Sequence, residues 1–178
     1  MHELMIVDDD ENILKALSRV LSKNKKFSIE TYSDPDYALK CAIKKKYDLI
    51  ISDYRMPIMN GLSFLSTAKK IQPNAMRMIL SGHADIEILM SAINEIEIFR
   101  FITKPWNDKD LINSVNQALE FKDTISENIK LADIVRQQRA KISEQNKILE
   151  DYKTDHPELF KVEWDEDGSI IIDDLDDS

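Results

Sequence analysis

Three adjacent carboxylates, Asp8, Asp9 and Asp10, follow the apolar run Leu4-Met5-Ile6-Val7. Neighbouring like charges repel, and a carboxylate held beside another resists ionisation. A bound cation resolves that conflict, and oxygen-only ligands suit a hard ion such as Mg2+. Three further reactive groups stand at or just past the ends of other apolar runs: Asp53 after "YDLIIS", Ser81 after "MRMIL" and Lys104 after "IFRFIT". With a cation in place Asp53 can stay ionised and serve as a nucleophile, as carboxylates do in aspartyl-phosphate chemistry. The cation and Lys104 would neutralise an incoming phosphoryl group, and the Ser81 hydroxyl could hydrogen-bond its third oxygen. Taken singly, Asp8 and Asp9 read as helix caps, Ser81-Gly82 as a turn and Lys104 as a surface lysine. Their placement at matching positions along the chain is what favours the chemical reading.

The runs that position these groups alternate in kind. "ELMIV" (3–7), "FSIETY" (27–32), "YDLIIS" (47–52), "MRMIL" (76–80) and "IFRFI" (98–102) read as strands. Between the first two, Ile13, Leu14, Leu17, Val20 and Leu21 recur at helical spacing. "DPDYALKCAIKKK" opens on a capping Asp34 with Pro35 at the first helical position. Further helices follow Asn60-Gly61, run through Ile86, Leu89, Met90 and Ile93, and begin near Asn107. Five strand–helix pairs predict an α/β fold, a doubly wound five-stranded parallel sheet covered on both faces. Such sheets bind ligands beyond the carboxyl ends of their strands, where the acidic, hydroxyl and cationic groups all fall. Cys41 is expected to be a buried helix residue, Asp10 an exposed charge at a helix N-terminus, His83 a rim residue, and Lys44-Lys45-Lys46 a solvated helix end.

At 178 residues the chain is long enough for one ordinary domain plus an appendage. Only three glycines argue against a turn-rich all-β fold. A single cysteine excludes a disulfide framework and fits a reducing cytoplasm. The N-terminus has neither a basic region nor a long apolar stretch, so no signal peptide and no membrane span are expected. Eleven of the 33 acidic residues but only two of the 24 basic ones lie in residues 151–178, which accounts for the net charge of −9. The first 150 residues are therefore neutral. No basic footprint for a nucleic-acid backbone follows, and direct nucleic-acid binding is not expected.

Residues 2–120 resemble the receiver domains of two-component response regulators, proteins of the flavodoxin-like fold. "IVDDDE" is similar to their acidic-pair motif, "DYRMPIMNG" to the phosphoacceptor loop, "LSGH" to the hydroxyl position and "FITKPW" to the Lys-Pro loop. The resemblance implies Asp53 as the residue phosphorylated by a histidine kinase or phosphotransfer protein. It implies Asp8, Asp9 and Asp53 as the carboxylates around Mg2+, joined by the backbone carbonyl of Arg55. Ser81 and Lys104 would complete the reaction site, and Ser81 and Phe101 would act as the switch pair. The Lys104–Pro105 bond is cis in that family. The same resemblance implies a self-phosphorylating protein with autophosphatase activity rather than a conventional turnover enzyme. Haloacid-dehalogenase-type phosphatases also use an aspartyl phosphate, but their nucleophile lies on the first strand with a second Asp two residues on and then Thr or Val. Here Asp10 is followed by Glu11, and the isolated acid lies on the third strand.

Beyond the receiver (1–120), residues 121–152 contain neither Gly nor Pro and extend the last helix. One heptad register puts Phe121, Asn128, Val135, Ile142 and Leu149 at one core position. Ala118, Ile125, Ala132, Arg139 and Asn146 fill the other, which predicts a parallel coiled-coil homodimer through residues 118–150 despite three polar members. A helix folded back on its own receiver or frayed in solvent is the alternative. The acidic tail, 153–178, carries a hairpin signal: Val162 and Trp164 alternate before Asp167-Gly168, and Ile170 and Ile172 after it. "DEDGS" lacks the full spacing of a calcium loop, and acidic disorder is the alternative to a hairpin. The expected function is a phosphorylation-controlled switch of contacts with a downstream protein target. The alternatives are a relay passing its phosphoryl group onward and a fragment of a longer regulator.

Overall fold

A computed structural model describes residues 1–82 and 96–160. Five strands, β1 (His2–Val7), β2 (Phe27–Tyr32), β3 (Leu49–Asp53), β4 (Met76–Ser81) and β5 (Arg100–Thr103), form one sheet in the order β2-β1-β3-β4-β5. Every neighbouring pair is parallel. The helices are α1 (Glu11–Leu21), α2 (Pro35–Lys44), α3 (Gly61–Ile71) and α4 (Asp108–Asp155), and a short 3-10 turn, Pro157–Phe160, follows the last.

Alternation along each strand builds two cores, because successive side chains point to opposite faces. Leu4 and Ile6 of β1, with Leu49 and Ile51 of β3, meet Leu17 and Leu21 of α1. Leu111, Val115, Ala118 and Leu119 of α4 belong to the same core. Met5, Val7 and Ile50 point the other way, into Ala38 of α2 and Phe64 and Leu65 of α3. Burial on both faces is why the strands read as unbroken apolar runs rather than as alternating ones.

Local signals set the helix starts. Asp10 caps α1 by accepting from the Asn12 N–H at 2.8 Å. Asp34 caps α2, whose first residue is Pro35. Asn60 caps α3 through the Ser63 N–H at 2.9 Å, and the Asn107 side chain accepts from the Lys109 N–H at 2.9 Å where α4 begins.

Several expected boundaries move. The third strand begins at Leu49 rather than residue 47, because the Tyr47 N–H is taken by the Gln72 side chain at 2.8 Å. The fifth begins at Arg100 rather than 98, after Glu97 adopts φ 56° and the buried Arg77 side chain holds the Ile96 carbonyl at 2.8 Å. The last helix reaches Asp155, three residues past the expected 152. Cys41 is half-buried on α2, not buried as expected, because it sits at the border of that helix's inner face. Ala118 is fully buried in the sheet core, so it cannot serve as a coiled-coil position. The expected helix through Ile86, Leu89, Met90 and Ile93, the rim residue His83 and the tail hairpin lie outside the described residues.

Two compact units divide the chain, Met1–Glu127 and a second from Asn128. No described helix is long and apolar enough to cross a membrane.

Candidate functional site

Parallel strands share a direction, so their carboxyl ends reach one edge of the sheet. Val7 pairs with Ser52, Asp53 with Leu80, and Ser81 with Thr103. The residues that follow β1, end β3 and β4, and follow β5 are therefore set side by side by backbone register alone. All of the sequence-predicted reactive groups arrive at this edge.

Lys104 binds the acidic groups together. Its Nζ donates to Asp8 Oδ2 at 2.7 Å and lies 2.5 Å from Asp53 Oδ1. The second Asp53 oxygen accepts the Arg55 N–H at 2.7 Å, and Asp8 Oδ1 accepts the Asp10 N–H at 2.9 Å. Asp8 and Asp53 are buried, whereas Asp9 is exposed. Burial pushes the Asp8 carboxyl above its ordinary range, against the opposing pull of Lys104 and the Asp10 N–H. Burial also works to lower the Lys104 ammonium, but its hydrogen bonds to Asp53 and Asp8 outweigh it and hold the group above its usual value. One lysine thus serves two inward-facing carboxylates.

The local backbone is fixed from several sides. The Lys104–Pro105 bond is cis, and the Lys104 N–H donates to the Ser81 carbonyl at 2.8 Å. The Tyr54 N–H donates to the Leu80 carbonyl at 2.8 Å, which ties the loop after Asp53 to β4. Ser52 Oγ donates to the Asp53 carbonyl at 2.9 Å. Phe101 lies on β5, partly buried, paired with Ile79 across the sheet.

Two features give the site its chemistry. Ligand oxygens of Asp8, Asp9 and Asp53 all lie within 4.8 Å of one another. An all-oxygen, triply acidic donor set suits a hard divalent ion, so the residues present fit Mg2+. The Ser81 hydroxyl is buried and has no hydrogen-bond partner among the described residues. A buried polar atom without a partner costs free energy, and an oxygen-bearing ligand at this edge would satisfy it.

Sequence reasoning misses the role of Gly61. Asn60-Gly61 reads only as a turn, yet a Cβ on Gly61 would strike the Asp53 backbone carbonyl and lie 2.9 Å from its carbon and 3.0 Å from Tyr54 Cα. The absence of a side chain lets α3 start directly behind the reactive carboxylate. The Gly61 N–H seals that approach by donating to the Tyr54 carbonyl at 2.9 Å.

Residues 4–116 match the family described as "Response regulator receiver domain". Among curated relatives, the hydrogenase transcriptional regulatory protein HoxA of Cupriavidus necator is 33% identical over 117 residues, 66% of this chain and 24% of that protein. The chain therefore spans about a quarter of the length of such relatives. Among solved structures, the signal receiver domain of an HD domain-containing protein from Pseudomonas fluorescens is 33% identical, with a TM-score of 0.66 over 71% of this chain and 92% of that one. A response regulator receiver domain protein from Clostridium thermocellum is 27% identical, with a TM-score of 0.65 over 70% of this chain and 99% of that one.

Proposed function

Because the chain belongs to the response regulator receiver domain family, we propose that it is a switch that takes a phosphoryl group onto Asp53 and changes its protein contacts in response. Proteins of this family work with histidine kinases or phosphotransfer proteins, and one of these is the proposed donor. The observation that carries the reading is the buried Ser81 hydroxyl, without a hydrogen-bond partner among the described residues and one residue past Leu80, the strand partner of Asp53.

In the reaction, an Asp53 carboxylate oxygen attacks the phosphorus, and the bond from phosphorus to the donor nitrogen breaks. Asp8, Asp9, Asp53 and the Arg55 carbonyl would hold Mg2+, which when bound supplies the positive charge that the acidic cluster and the incoming group require. The chain itself does the positioning. Asp53 Oδ2 is held by the Arg55 N–H, which leaves Oδ1, beside Lys104, as the outward oxygen. Lys104 then neutralises phosphoryl charge in place of carboxylate charge. Ser81 Oγ donates to a phosphoryl oxygen, and Phe101 on the adjacent strand turns inward as Ser81 is drawn across. A switch of this kind needs two states that the ligand distinguishes, and the new hydrogen bond supplies the difference.

The exposed apolar residues of α4 supply the output surface. Phe121, Ile125, Val135, Ile142 and Leu149 are all exposed, and a second copy of the chain is the proposed partner for them, in parallel through the helix from Phe121 to about residue 150. The test is labelling by acetyl phosphate with and without Mg2+. Label should require the ion and be lost on chelation. Ser81→Ala should accept label yet change self-association less than the parent does; an unaltered response would remove Ser81 from the switch.

A further inference from the structure

If two copies pair along α4, the helix also sets the register in which they meet, and that register rests on the proposed dimer. Helix α4 is continuous from Asp108 to Asp155. A single heptad repeat along it would bury Arg139 and Asn146 at one core position while leaving Leu131 and Tyr152 beside the seam. A charged guanidinium at the contact is costly unless paired. The apolar residues fit a different spacing. From Phe121 the steps to Ile125 and Asn128 are four and three residues, and the step from Asn128 to Leu131 is again three. From Leu131 the seam continues through Val135, Gln138, Ile142, Gln145, Leu149 and Tyr152 in regular four–three alternation. Two threes in succession amount to a stammer, a break in the heptad that locally overwinds a coiled coil.

Phe121, Ile125, Leu131, Val135, Ile142, Leu149 and Tyr152 are each 41–55% exposed, although the Phe121 ring also stacks on Phe99 at 5.7 Å. Of three more exposed apolar residues on the helix, Ile129, Ile134 and Ile148, the last two are left on its outer side by the uninterrupted repeat. With the stammer each moves to the flank of the seam, immediately before Val135 and Leu149. There each meets, five residues on in the partner helix, the aliphatic stem of Arg139 or Lys153, whose charged ends can reach water.

We propose that two copies of this chain pair in parallel along α4 with a stammer centred on Asn128, so that Leu131, Gln138, Gln145 and Tyr152 occupy the seam and Arg139 and Asn146 only flank it. The occupant is a second copy because each element of the pairing, apolar seam and flanking cation stem alike, is supplied by the same helix. Asn128, shared by both spacings, gives the polar core position that fixes parallel register.

Disulfide trapping in the full-length chain tests it. In a Cys41→Ser background, single cysteines are placed at Gln138, Gln145, Arg139, Asn146 and Ile142, all exposed helix positions where folding is not at stake. Under mild oxidation Q138C and Q145C should form the interchain disulfide at least about tenfold faster than R139C and N146C, since only seam positions bring the two Cβ atoms within bonding span. Equal rates, or faster trapping at R139C and N146C, would overturn the stammer. Ile142 lies in the seam under both spacings and reports on the dimer itself. Rapid trapping of I142C with the wrong partner pattern sinks only the register; no trapping of I142C sinks the dimer as well.

Discussion

Replacing Gly61 with Ala sets two opposed effects against each other at the reactive carboxylate. Alanine is favoured over glycine in a helix by up to about 1 kcal/mol, and it restricts the unfolded chain, worth about 0.4–1 kcal/mol where the fold tolerates it. On those grounds alone the variant would gain stability. At Gly61, however, the added methyl would overlap the Asp53 carbonyl and crowd its carbon at 2.9 Å and Tyr54 Cα at 3.0 Å. All three atoms are backbone, fixed by the β3–β4 ladder and by the Gly61-to-Tyr54 hydrogen bond of 2.9 Å, so no side chain can swing away. Overpacking of this kind costs roughly 1–3 kcal/mol, and more where nothing can yield. The steric term wins, and Gly61→Ala should lose about 1–2 kcal/mol in urea unfolding at an unchanged slope. Because the strain falls on the residue that carries the nucleophile, acetyl-phosphate labelling should also slow, by up to about a hundredfold for a displacement near 1 Å. A variant at least as stable as the parent, with an unchanged labelling rate, would refute the close-approach account of this glycine.

Other perturbations reach different parts of the molecule. Lys104→Met leaves Asp8 and Asp53 facing each other without their shared cation. It should cost roughly 1–3 kcal/mol in chemical denaturation, between the values for exposed and fully buried pairs because a quarter of the lysine is exposed, and adding Asp8→Asn should return much of it. Glu30 is held down to about 2 by Lys45, Tyr32 and Tyr47. Its folded value lies below its unfolded one, so its contribution is present above the ordinary value of 4.5 and lost as pH falls through that window towards about 2. Glu30→Gln should flatten the acid limb of the stability profile there and leave the limb near neutrality alone; an unchanged acid limb would count against the pair network. Ending the chain after Glu127 keeps Leu111, Val115, Ala118 and Leu119 in the core, as well as the Asp48–Lys122 ion pair. That piece should fold, accept phosphate and sediment as a monomer, whereas persistent dimers would place the self-association surface in the first unit.

Much of the fold is legible in the sequence because both faces of the sheet are buried. Leu4 to Val7 and Leu49 to Ile51 must be apolar at every position, and unbroken runs of that kind between amphipathic segments have few readings. The candidate site is legible because its residues occupy equivalent places relative to the strands, so locating the strand ends locates Asp8, Asp53, Ser81 and Lys104 together. What stays hidden depends on contacts distant in sequence. Nothing local to Tyr47 announces that Gln72 takes its N–H, nor does Arg77 advertise that its side chain grips the Ile96 and Ala75 carbonyls and delays β5. Ala118 fits a heptad by spacing, but spacing cannot say that its methyl is already inside the receiver core. Gly61 is the same case in reverse, since an Asn-Gly pair reads as a turn and only the packed strand behind it shows why no side chain fits.

The central claim is that Asp53 is the residue that receives the phosphoryl group. Borohydride reduction of the protein after incubation with acetyl phosphate and Mg2+ converts an acyl phosphate to the corresponding alcohol and marks its position. Peptide mass spectrometry should find a homoserine in place of Asp53 and aspartate retained at residues 8, 9 and 10. A homoserine at Asp8 or Asp9, or equal modification of an Asp53→Asn protein, would contradict the account.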